Sequence, residues 1–161
     1  MAALDLARLA RLTFHEKWTD ALEKLFSMFS ADIEQHPSAH TQMLIGFDFM
    51  IGPSQEIIIA KATAGLDERQ VLGIVDDYFL PNKAILLLGH DKDLNGISKI
   101  APLTVRQRPI SGQTTIYICE QGVCKLPVTG EKELRALLLP MASTDYVNIK
   151  LKTSEEHYEG L

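Results

Sequence analysis

The sequence is poor in the features that usually announce an activity. No segment approaches the run of about 18 apolar residues that a membrane-spanning helix needs. The N-terminus, MAALDLARLARLTFHEKW, has no basic stretch leading into an apolar core and a small-residue cleavage site. A cytoplasmic protein without membrane contact is the expectation. The 16 lysines and arginines are scattered among 21 acids, for a formal charge of −5, and no basic block could track a phosphate backbone, so nucleic acid is not an expected partner. There are two cysteines. Cys119 and Cys124 lack the two-residue spacing of thioredoxin-like motifs, and no His stands near them in sequence to complete a zinc set. The loop KATAG after the first apolar strand carries one glycine and no GxGxxG or Walker pattern. The sequence therefore calls for no cofactor and no metal, and names no catalytic residue.

What the chain does have is an architecture. Its 161 residues are 46% hydrophobic, enough for one core that buries roughly two-thirds of the unfolded surface. Leu4, Leu6, Leu9 and Leu12 mark a first helix, with Arg8 and Arg11 available to face water. The chain thus begins inside a helical pattern with no N-cap residue ahead of it, as a fragment of a longer protein would. Thr13 and Glu16 are spaced as a capping box for a second helix bearing Trp18, Leu22, Leu25, Phe29 and Ile33. The stretch from Pro37 to Lys61 joins two kinds of structure. A third helix carries Met43, Leu44, Phe47, Met50 and Ile51 on one broad face, Gly52-Pro53 stops it, and Glu56 to Ala60 forms a short apolar strand.

Beyond that strand, Asp67 and Gln70 set a capping box for a helix whose Val71, Ile74, Val75 and Phe79 line one side. Ala84 to Leu88 and Thr114 to Cys119 are further strands, with a weaker helix over Leu94 to Leu103 between them and a short strand, Val123 to Leu126, after Gly122. Thr129 caps a last helix with Leu134, Leu137 and Leu138 facing in. Alternating strands and helices with continuous apolar strands predict an α/β fold: three N-terminal helices, then a small three-layer domain with a mostly parallel sheet of 3–5 strands. The expected divisions are a helical segment over 1–52, the α/β domain over 53–140 and a tail over 141–161. In that tail Val147, Ile149 and Leu151 could add an edge strand before the end frays.

Three blocks in this order, PSAHTQMLIGFDFMIGPSQEIIIA, YFLPNKAILLL and TTIYICEQGVCKLPVTGEKELRALL, resemble the C-terminal end of the YyaL-type, spermatogenesis-associated family of thioredoxin-like proteins, over about Ala3 to Leu139. Members look like a thioredoxin-fold domain fused to an (α/α)6 toroid similar to N-acylglucosamine epimerases and six-hairpin glycosidases. The resemblance implies that this chain keeps the last toroid helices and the α/β end that follows, and lacks the thioredoxin domain and most of the toroid. It also implies that His40, in the first turn of its helix, is a toroid-facing candidate. Without that cavity a hydrogen-bonded or surface His is expected.

Several constellations need weighing against plainer accounts. Cys119 and Cys124 flank a Gly-containing turn, and are either redox candidates, half of a metal site, or two small apolar side chains at the end of a buried strand. His36 and His40 have helical metal spacing, but Pro37 pushes His36 out of helical geometry. Asp91, Asp93, Asn95 and Gly96 begin like a calcium loop, yet Pro102 stands where its bidentate Glu belongs, and a polar turn is the alternative. Asp76 and Asp77 point about 100° apart on a helix and face no common atom.

Two functions follow from these patterns. The favoured one is a non-catalytic structural or interaction module. It meets a second copy, as a homodimer, or another protein chain through the apolar faces of its N-terminal helices. The alternative is a small-molecule-binding or redox-sensitive domain with a site at the carboxyl ends of the strands, where Lys61, His90, Asp91 and Cys119 would form the rim.

Overall fold

In the computed structural model, which describes residues 2–89, 91–120 and 122–143, three helices occupy the first third of the chain: α1 (Ala2–Thr13), α2 (Glu16–Gln35) and α3 (Thr41–Ile51). Thr13 does not open α2 as its spacing suggests. Its hydroxyl donates back to the Leu9 carbonyl at 2.8 Å and so closes α1, while the ring of His15 accepts from the Lys17 N–H and caps α2. Phe14, at φ 52°, makes the corner between them.

Small residues set the way these helices meet. Gly46 of α3 faces α1 so closely that a Cβ on it would lie 2.8 Å from both the Ala3 Cβ and the Leu4 nitrogen. Ala3 and Ala7 are buried at the same crossing, with Leu4, Leu6, Leu12, Met43 and Met50 packed around them. Because α1 approaches the Gly46 side of α3, Phe49 becomes its buried aromatic residue. Phe47 and Ile51, expected on the inner face, point outward, and Leu9 of α1 is exposed.

The sheet contains β1 (Gln55–Ala60), β2 (Lys83–Leu88), β3 (Thr115–Glu120) and β4 (Val123–Cys124), in the order β2-β1-β3-β4. It is mixed rather than mostly parallel: β1 and β2 run parallel, whereas β3 is antiparallel to β1 and β4 to β3. The reason lies in the long return after α5 (Asp91–Ile100). The chain leaves β2 beside Ala60, descends through α5, and climbs back to enter β3 beside Ala60 again, where Thr114 bonds to Ala62 and Ala64. The expected polar turn over Asp91 to Gly96 is the start of that helix, and the strand expected over Val123 to Leu126 shortens to two residues.

Both faces of the sheet are covered. Ile57, Ile59, Ile116 and Ile118 meet α4 (Glu68–Asp76) and α6 (Glu131–Ser143) through Val71, Ile74, Val75, Leu134 and Leu138. Ile58, Ala60, Leu88 and Cys119 face α5 and the turn after it through Ile97 and Leu103, and Ala84 joins the core of the N-terminal helices. This is the three-layer α/β arrangement. The capping box of Asp67 and Gln70 forms as its spacing requires. The helix it opens ends at Asp76, earlier than the pattern suggests, so Phe79 is exposed and Leu80 takes the buried place. Helix α6 runs three residues past the expected boundary at 140, and the candidate edge strand at Val147, Ile149 and Leu151 lies outside the described residues.

Two glycine substitutions separate propensity from packing. Gly73 of α4 has open space around it, so Gly73→Ala should raise stability by about 0.5–1 kcal/mol. Gly46→Ala gains the same propensity but collides with the α1 backbone, and should lower stability by about 1 kcal/mol net. Urea denaturation of the two variants checks the opposite signs.

Candidate functional site

Strand β1 is apolar except at its start, where Glu56 is 1% exposed. Its register places it beside Ala84 of β2 and Cys119 of β3, and Cys119 lies beside Cys124 of β4. Directly opposed residues share a sheet face, so Ala84, Glu56, Cys119 and Cys124 form one row across all four strands. Cys119 and Cys124 are joined by a disulfide. That corrects the expectation of two separate small apolar side chains. The pair is asymmetric, because Cys119 is 1% exposed and Cys124 is open to solvent.

Three contacts surround this row. The guanidinium Nε of Arg11, on α1, stands 3.7 Å from the Glu56 Oε1; the arginine expected to face water reaches into the sheet instead. The side-chain amide of Gln107, a buried residue, donates to the Cys124 sulfur at 3.4 Å. Next to it, the Tyr117 hydroxyl donates to the Arg108 carbonyl at 2.6 Å and fixes that loop against β3. Gly122, at φ +81°, turns the β3–β4 hairpin beneath Phe14, whose ring lies 3.7 Å from where a Cβ would stand. A cleft of about 340 Å³ opens between α1, α2 and α3 beside Arg11, lined by Ala7, Phe14, Glu16, Leu22 and Phe49 among others.

Neither carboxyl oxygen of Glu56 has a hydrogen-bond partner among the described residues. Burial therefore dominates its ionisation and pushes its pKa up to about 7. The Arg11 charge opposes the rise, as do the N–H dipoles of Glu56 and Gly122, which favour the anion without closing a hydrogen bond; the Glu120 carboxylate adds to it.

The other sequence candidates are dispersed. Lys61 follows β1 at its carboxyl end and pairs with Glu68 at 2.9 Å, a hydrogen bond that holds the Glu68 carboxyl below its ordinary range. Since β3 is antiparallel, Cys119 lies beside Glu56 at the opposite end of β1, roughly 17 Å away along the strand. The expected rim of Lys61, His90, Asp91 and Cys119 thus loses Cys119. His90 and the side chain of Asp91 lie outside the described residues. The ring of His40 is 2.7 Å from the Asp32 carboxylate and tilted against Phe29. His36 has left helical geometry, at φ −134° and ψ 58°. Asp76 and Asp77 are separately engaged, with Lys83 and Arg135. Sequence reasoning missed Glu56, Arg11 and Gln107. A lone acid at the head of a strand buried on both faces was the one available signal.

The ionisation of Glu56 carries a stability consequence. Unfolded, this carboxyl ionises near 4.5; folded, near 7. The native protein holds the extra proton between those values, so the group's contribution falls as pH rises through that window and levels off above it. Glu56→Gln removes the ionisation, and should be more stable than the wild type by about 3 kcal/mol at pH 8. The gap should close as the pH drops to 4.5 and below. Melting curves across pH 4–8 check this, and parallel profiles for the two proteins would count against it.

No family model matches the chain, and no solved structure matches it. It is 29% identical over 140 residues to human spermatogenesis-associated protein 20, covering 87% of this chain and 18% of that protein. The rat and mouse proteins of the same name are 29% and 28% identical over 138 residues, 17% of each. The chain spans less than a fifth of the length of these curated relatives, and over most of its own length it is similar to a segment of the spermatogenesis-associated proteins.

Proposed function

We propose that this chain is a non-catalytic interaction module that self-associates through α3. The observation that carries this reading is that α3 leaves large apolar side chains exposed outside the face it buries. Met43, Gly46, Phe49 and Met50 pack toward α1 and α2, while Ile45, Phe47 and Ile51 are 44%, 40% and 63% exposed. Large apolar side chains exposed together on one helix mark an interface. Leu44, Phe47 and Ile51 follow the i, i+3, i+7 spacing of one outer ridge, and the charge beside it, Asp48, is engaged by the Asn82 side-chain amide at 2.8 Å. Two such ridges laid antiparallel about a two-fold axis complement each other, as a homodimer requires. Phe47 is already held in place by the edge of the Phe26 ring, 5.3 Å away between centroids, so it needs little ordering when a partner arrives. In a protein as long as the relatives, neighbouring helices would cover the same ridge, in keeping with the toroid that the resemblance implies.

Light scattering at micromolar concentration should give twice the chain mass. The double substitution Phe47→Glu and Ile51→Lys, which leaves the buried side of α3 untouched, should return it to a folded monomer that melts cooperatively, slightly below the wild type because the Phe26–Phe47 contact is lost. A monomeric wild type would overturn self-association.

A further inference from the structure

We propose that the Cys119–Cys124 bond is a thiol–disulfide exchange site for low-molecular-weight thiols, attacked at Cys124, with Glu56 carrying the proton of the Cys119 sulfur. Three independent observations converge on it. The first is the asymmetry of the pair: Cys124 is open to solvent and Cys119 is 1% exposed, so only one sulfur can be met by an incoming thiolate. The second is that the buried sulfur lies directly across the ladder from a buried carboxyl, one whose oxygens have no hydrogen-bond partner among the described residues. A thiolate released in apolar surroundings is costly and must be protonated or paired. The only titratable neighbour across the β1–β3 ladder is Glu56. The third is Gln107, whose amide donates to the exposed sulfur and favours negative charge there.

The reaction balances as follows. A thiolate RS⁻ attacks the Cys124 sulfur; the R–S–S–Cys124 bond forms, the Cys119–Cys124 bond breaks, and the Cys119 sulfur leaves with the electron pair. The Glu56 carboxyl gives it a proton, and the resulting carboxylate is left facing the Arg11 guanidinium. A second RS⁻ attacks the R sulfur of the mixed disulfide, releasing RSSR and a Cys124 thiolate held by the Gln107 amide. Two thiols are oxidised and one protein disulfide is reduced. In the reverse direction Glu56 takes the proton from Cys119, which then attacks the mixed disulfide. A carboxyl with a near-neutral pKa suits both directions. The charge that faces it is Arg11 from α1, with Glu16 of α2 beside the same cleft; Glu120 of β3, opposite Gln55 and paired with Lys125, acts on it through space, and β2 presents Ala84.

The test uses the whole chain with glutathione and with dithiothreitol. After incubation of the single-cysteine variants with glutathione disulfide, which releases one reduced glutathione for each adduct formed, quenching by alkylation and peptide mass mapping should place a glutathione adduct on Cys124 in Cys119→Ser, and none on Cys119 in Cys124→Ser. The rate of reduction by dithiothreitol, followed from pH 5 to 9 and corrected for the reagent's own ionisation, should fall about 10-fold or more in Glu56→Gln near neutrality and lose its inflection there. Arg11→Met, which keeps the carboxyl but removes the charge that favours its anion, should move that inflection to higher pH. Adducts on both cysteines equally, or rates and profiles unmoved in both Glu56→Gln and Arg11→Met, would overturn the proposal. A merely structural carboxyl would shift melting temperature and leave the corrected pH profile alone.

Discussion

Everything else in this molecule depends on β1 being withdrawn from water on every side. Its backbone is bonded to β2 on one edge and β3 on the other, and all six of its residues are buried. Each of the three central isoleucines contributes about 1.5–3 kcal/mol by burial. The helical layers exist to complete that enclosure: α4 and α6 close one face, and α5 with the N-terminal helices closes the other. The close crossing of α1 and α3 at Gly46 is part of the same demand, since it brings α1 down onto the sheet at the level of Glu56.

The same enclosure creates the one chemically unusual position. An acid at the head of such a strand costs about as much to ionise as one of the isoleucines contributes, and the structure relieves only part of that cost. Arg11 approaches from one side and stops short of a close ion pair; the hairpin crosses above. The carboxyl is left balanced between its two charge states near neutrality. Helix packing and sheet register thus converge on a single proton. The interaction face proposed on α3 lies in the N-terminal helical layer, and the proposed exchange site lies on the β3–β4 hairpin of the sheet.

Much of the fold was legible in the sequence because its signals are local. The capping box at Asp67 and Gln70, the stop at Gly52-Pro53, the apolar strands and the spacing of Leu134 and Leu138 each depend on a few neighbouring residues. What was not legible depends on distant partners. The sense of β3 is set by a return through Pro102 to Gln113 that has no periodicity. The buried side of α3 is chosen by where α1 lands, which favours Gly46 and Phe49 over the larger stripe containing Phe47. Thr13 could serve either the end of α1 or the start of α2, and the corner at Phe14 decides. The site suffered most. Arg11 and Glu56 are 45 positions apart, Gln107 sits in an irregular loop, and only the antiparallel register brings Cys119 to Glu56 rather than to Lys61.

The hairpin crosslink has one more property, which concerns the unfolded chain. The bond joins residues only five apart in sequence, so it closes a very small loop. The chain-entropy account then assigns it about 2 kcal/mol, well below what a bridge across a long segment supplies. The β1–β2 pair, the isoleucine core and both helical layers are built without it. Its two states therefore differ mainly within one hairpin, so the exchange proposed there does not put the rest of the fold at stake.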